Sequence, residues 1–206
     1  MNFIKSLLFG GLLSLTTLSP ISAFASDLFP QGDEITRQDV LRGSITPERA
    51  WWDLSHYHLD IQVDPTQETI SGTNTVSYRV IKDAKKLQIE LQPPMQLTKA
   101  IQNEQTLNIV KDGYTYFIEP VAPQPIGSEQ SVILHFSGHP TEAKNAPWDG
   151  GITWTKDANG TDFIASANQG IGASIWWPNK DHAYDEPDLG ALISVEVPEH
   201  LVNVSN

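Results

Sequence analysis

His56-Tyr57-His58-Leu59-Asp60-Ile61-Gln62-Val63-Asp64 is the stretch that decides the fold class. Its period is two: Tyr57, Leu59, Ile61 and Val63 fall on one side of an extended chain, and His56, His58, Asp60 and Gln62 on the other. Successive side chains of a strand point to opposite faces, so this alternation predicts a strand with one buried and one wet face. Asp64-Pro65-Thr66 supplies a turn, and residues 69–81 return as a second strand. There Ile70, Gly72, Asn74, Val76, Tyr78 and Val80 share a face, opposite Ser71, Thr73, Thr75 and Ser77.

Downstream the same logic recurs. Leu87-Gln88-Ile89-Glu90-Leu91 alternates before Pro93-Pro94 stops it. Further strands are predicted at residues 97–102, 107–110, 114–118, 131–137, 152–154, 163–166 and 191–197, with turns at Asn103-Glu104, Asp112-Gly113, Gly127-Ser128 and residues 157–160. Upstream, residues 36–42 suit one short helical turn. Thr46-Pro47-Glu48 reads as an N-cap, a first-turn proline and a favourable acidic residue, predicting a short helix that carries Trp51 and Trp52. No long segment has a 3.6-residue period. The expected architecture is all-β: an antiparallel sandwich of short strands, with a short helix before the first.

The first 25 residues read as a signal peptide, with Lys5 before a short apolar run (residues 6–18) and Ala23-Phe24-Ala25 as a small-x-small cleavage site before Ser26. An uncleaved anchor is the alternative, but the run falls short of the roughly 20 apolar residues that a membrane span needs. The mature chain, residues 26–206, is then one periplasmic or secreted domain, with no membrane contact after cleavage. It has no cysteine, so packing and not disulfides must hold it. Thirteen basic and 25 acidic residues give a net charge of −12, and removing Lys5 makes it −13 (12 − 25). That balance repels phosphate and excludes nucleic acid as a partner.

The stretch from Ala146 to Asp188 holds Trp148, Trp154, Trp176 and Trp177, four of the six tryptophans, among glycine-bearing turns, and ends in an acidic loop. No amphipathic period explains it, so a particular shape must. Pro147-Trp148-Asp149-Gly150-Gly151, Gln169-Gly170, Trp177-Pro178-Asn179-Lys180-Asp181 and Asp185-Glu186-Pro187-Asp188 resemble, in order and spacing, the closing part of the N-terminal domain in the zinc aminopeptidases of the aminopeptidase N and leukotriene hydrolase family. The strand from Tyr57 with Ile70-Ser71-Gly72 is similar to that domain's opening hairpin. The likeness is strongest to a bacterial exported branch and covers nearly all of the mature chain.

The resemblance implies a saddle-like β domain laid against a catalytic domain. It also implies a parent enzyme that uses zinc to release N-terminal amino acids from peptides. Gln169 matches the family position that helps hold the substrate's free amino end, and a carboxamide oxygen can accept from an ammonium. The alternative is that Gln169 only satisfies backbone groups in its turn. The His-Glu-x-x-His helix that such catalysis needs does not occur in these residues. No catalytic and no metal-binding residue is therefore assigned, no cofactor is expected in this chain, and the expected partners are a catalytic domain and its peptide substrate.

Other constellations read as structural. His135-Phe136-Ser137-Gly138-His139 has the spacing of a zinc pair but lacks the glutamate. Along a strand its histidines stand about 13 Å apart, whereas zinc holds each nitrogen at about 2 Å. His56, His58 and Asp60 spread along one wet strand face. Asp181, Asp185, Glu186 and Asp188 lack the glycine-bearing calcium-loop pattern. Trp176 and Trp177 are expected to form an apolar face awaiting a partner domain, or else to fill the core. Two rival functions stay open: a free-standing exported β-sandwich that binds peptide or carbohydrate through its tryptophans, and a docking module for a separate catalytic subunit.

Overall fold

The computed structural model describes residues 34–146 and 148–204. The predicted signal peptide, its cleavage site and Pro147 lie outside the described residues. From Thr36 onward the described residues pack as one compact unit.

Helix α1 (Arg37–Gly43) opens on a reciprocal cap. The Asp39 backbone N–H donates to the Thr36 hydroxyl, and the Thr36 backbone N–H donates to the Asp39 carboxylate. Such a pair satisfies two of the donors that a helix start leaves open. The second helix predicted from Thr46-Pro47-Glu48 does not form. The Thr46 carbonyl accepts from Arg49 and Ala50 at 3.1 and 2.9 Å, a single turn, and the chain extends at once into β1. The reason lies in Trp51 and Trp52, both only 1% exposed. Trp51 closes the turn and Trp52 opens β1, and each indole N–H finds a carbonyl, that of Lys86 at 3.0 Å and that of Glu48 at 2.9 Å. They flank the Tyr78 ring edge-on at 5.7 and 5.5 Å.

Eleven strands follow among the described residues. They are β1 (Trp52–Asp64), β2 (Thr69–Val80), β3 (Leu87–Glu90), β4 (Gln96–Gln102), β5 (Gln105–Thr106) and β6 (Ile109–Asp112). Then come β7 (Thr115–Ile118), β8 (Glu129–Gly138), β9 (Gly151–Lys156), β10 (Asp162–Ala167) and β11 (Ala191–Glu196). The all-β reading holds, with one amendment. In the six-stranded sheet, ordered β11-β1-β2-β8-β4-β5, the edge strand β11 runs parallel to β1 and pairs Leu59 with Ile193. All other strand pairs are antiparallel, including those of the three-stranded sheet β3-β7-β6 and the hairpin β9-β10.

The faces read from the alternation are the faces observed. Tyr57, Leu59 and Ile61 of β1 and Ile70, Val76, Tyr78 and Val80 of β2 are buried in the core, while Asp60 and Gln62 are exposed. Gly72 has a steric reason to be glycine. It pairs with Ile61 at φ +152°, and a Cβ there would lie 2.2 Å from the Asp60 carbonyl oxygen. In β3 the alternation misleads: Gln88 and Glu90 are as buried as Leu87 and Ile89.

Candidate functional site

From β10 the chain enters a turn at residues 168–172, closed by the Gly172 N–H donating to the Asn168 carbonyl at 2.9 Å. A short 3₁₀ turn (Ala173–Ile175) follows, with Ser174 and Ile175 buried. Trp176 and Trp177 then pack half-buried against the core, with Trp177 edge-on to Tyr57 at 4.9 Å. They fill space within the domain and do not make the open apolar face that was one of their two expected roles.

Trp177-Pro178-Asn179-Lys180-Asp181 is bound to the core almost atom by atom. The Pro178 carbonyl accepts from the buried Asn74 carboxamide at 2.8 Å. Asn179 and Glu90 exchange both backbone hydrogen bonds, at 2.8 and 3.1 Å. The Lys180 N–H donates to the Tyr57 hydroxyl at 2.9 Å, and the Asp181 N–H to the Glu90 carboxylate at 3.1 Å. The Lys180 ammonium donates to the Trp52 carbonyl at 2.7 Å, lies 3.8 Å over the Trp52 ring and pairs with Asp185.

Two carboxylates of the acidic loop are thereby accounted for. Asp185 serves Lys180 and also accepts from the Leu54 N–H at 3.3 Å. Asp181 accepts from the Ser174 hydroxyl at 2.6 Å and pairs with Arg42 at 3.3 Å. These carboxylates tie the loop to the domain.

Beneath them lies a charge cluster that alternation gave no sign of. Arg49 and Glu90, both essentially fully buried, pair at 2.7 Å. Gln88 donates to Glu90 at 2.6 Å and to the Leu41 carbonyl at 3.0 Å, while Arg49 donates to the Arg42 and Ser44 carbonyls, each at 2.8 Å. Burial pushes the Glu90 carboxyl up, opposed by the Arg49 guanidinium. Burial pushes the Lys180 ammonium down, opposed by Asp185. The Tyr57 hydroxyl is likewise driven up by burial, so it serves the loop as a neutral acceptor.

Gln169 stands apart from this network. It is exposed, and among the described residues its side chain makes no hydrogen bond, although the turn beneath it is fixed. The Ile171 carbonyl accepts from Arg42 and, at 2.7 Å, from Gln92. His135 lies half-buried in β8 and His139 is exposed just past its end, and β1 spreads His56, His58 and Asp60 along one face. Among the described residues no group of three or more His, Cys, Asp or Glu is placed to hold a metal. These residues do not fit zinc.

No protein-family model matches the chain, and no curated protein matches it. Among solved structures it is similar to the M1 zinc metallopeptidase of Deinococcus radiodurans, at 21% identity over 71% of this chain and 32% of that one, with a TM-score of 0.55. It is also similar to leukotriene A4 hydrolase from Saccharomyces cerevisiae, at 15% identity over 72% and 24% of the two chains, TM-score 0.57. The yeast hydrolase with bestatin aligns over 88% of this chain and 27% of its own, at 14% identity and a TM-score of 0.59. The fold is that of the N-terminal domain of the M1 zinc metallopeptidases. The chain spans about a third of the Deinococcus enzyme and about a quarter of the yeast one.

Proposed function

We propose that this chain is the front β domain of an exported zinc metalloaminopeptidase, and that Gln169 accepts a hydrogen bond from the free amino end of the peptide substrate. The shared fold supports the first part, together with the fraction of those enzymes that the chain spans. The observation that carries the second part is the uncommitted Gln169 carboxamide on a fixed turn. A glutamine kept only to brace its turn would bond to nearby backbone. Instead its carbonyl oxygen is uncommitted and free to accept from an ammonium.

In this reading the zinc belongs to a catalytic domain, which is the partner of this domain, and the chain by itself is inert. Metal analysis of the purified chain, run with a chromogenic aminopeptidase assay, should find neither stoichiometric zinc nor hydrolysis. Export belongs to the same proposal, and N-terminal mass analysis of material from producing cells should show a chain that begins at Ser26.

The deciding experiment fuses this chain to the catalytic portion of a related metallopeptidase and introduces Gln169→Ala. Losing one hydrogen bond to a charged group costs about 1.5–3 kcal/mol, so kcat/KM should fall about tenfold or more. Unchanged kinetics would reduce Gln169 to a turn residue.

A further inference from the structure

Trp148 is 89% exposed, the most exposed aromatic side chain among the described residues, yet its loop is closely built. The base of the loop is closed by the Ile152 N–H donating to the Thr141 carbonyl at 2.8 Å and the Ala143 N–H to the Ile152 carbonyl at 3.0 Å. Its tip is held by Asp149, whose carboxylate accepts from the N–H groups of Lys144 and Asn145 at 2.7 and 2.8 Å. The Trp148 N–H itself donates to the Asn145 carbonyl at 2.8 Å. A large aromatic is thus presented to solvent by backbone bonds that fix its Cα.

This loop leans on the turn that carries Gln169. A Cβ at Gly150 would lie 2.1 Å from Ile171 Cγ1 and 3.2 Å from the Gln169 carbonyl oxygen, so the two turns touch at this glycine. Ile171 fixes both partners: its side chain meets Gly150, while its carbonyl is held by Arg42 and Gln92. Two touching turns therefore each offer one uncommitted side chain. One supplies a hydrogen-bond acceptor, the other a wide apolar face that also attracts cations.

We propose that Trp148 and Gln169 form one binding site for the first residue of a peptide: Gln169 accepts from its ammonium, and the Trp148 indole lies against its side chain. The inference rests on the amino-end reading of Gln169 and adds the residue that would set side-chain preference there. An apolar first side chain and a free amine are both required, which makes the site selective for unblocked peptides with large apolar first residues.

The test uses the ¹⁵N-labelled full chain, titrated with leucyl-alanine amide and, separately, with its N-acetylated form. The indole N–H resonance that Trp148→Phe removes and the carboxamide pair that Gln169→Ala removes are followed together. Both should shift along one binding curve with the free amine and stay still with the acetylated peptide. Trp148→Ala should weaken binding about threefold or more without moving the other indole resonances, and glycyl-alanine amide should bind the parent chain as weakly. If the Gln169 signal shifts and Trp148 does not, the shared site is overturned while the amino-end reading stands. Equal shifts with the acetylated peptide would reduce Trp148 to an apolar contact and overturn the proposal. If neither signal moves, both readings fall.

Discussion

At Glu90 a carboxylate is held in the interior by three donors: Arg49 at 2.7 Å, Gln88 at 2.6 Å and the Asp181 N–H at 3.1 Å. Desolvating two charges costs several kcal/mol per ion, and their attraction repays this only when the remaining polar atoms are also satisfied. Here Arg49 Nε is buried without a partner, so the pair adds little net stability while its carboxylate still receives the loop at Asp181. Arg49→Met should lower unfolding free energy by about 3–5 kcal/mol, because it strands the buried carboxylate. Arg49→Met with Glu90→Leu should recover most of that loss. Urea denaturation of the parent, single and double variants measures both, and a double variant no better than the single would mean the cavity, not the charge, dominates.

Among the elements, α1 and the β1–β2 hairpin each depend on one small feature. The Thr36 hydroxyl and backbone N–H hold the Asp39 carboxyl below its ordinary value of 3.8. A carboxyl depressed by folding contributes stability that is present above its unfolded value and is lost as pH falls through the folded one. The advantage of the parent over Asp39→Asn in thermal melts should therefore be flat near neutrality and shrink below about pH 4. In the hairpin, Gly72→Ala would push a methyl into the Asp60 carbonyl from a backbone conformation that side chains rarely adopt. A cost of about 2–4 kcal/mol is expected from strain and overpacking together. Urea denaturation measures it, and a loss of unfolding free energy below about 1 kcal/mol would show that β1 and β2 accommodate the methyl more easily than their pairing suggests.

Across the whole molecule, the loop at residues 177–181 behaves as core although it contains no regular strand. Its N–H groups end on Glu90 and on the Tyr57 hydroxyl, and its lysine lies under Trp52. Hydrogen exchange should find the Asn179, Lys180 and Asp181 amides as slow as those of β2 and β8, since they open only with the domain. Exchange at the rate of exposed turns would mean the loop detaches on its own. The sequence by itself determined most of the strands, most of their buried faces and most of the turns, because pleating and turn chemistry act between near neighbours in the chain. Its resemblance to the zinc aminopeptidases also held at the level of fold. Only the tertiary structure decided that the turn ends at Trp51 with Trp52 opening β1, that β1 passes so close to Gly72, that β11 pairs in parallel, and that Gln88 and Glu90 are buried. Alternation reports that a strand has two faces, but whether a second layer covers the polar one depends on segments far away in sequence. Here those segments bring Arg49 from one side and Asn179 and Asp181 from the other.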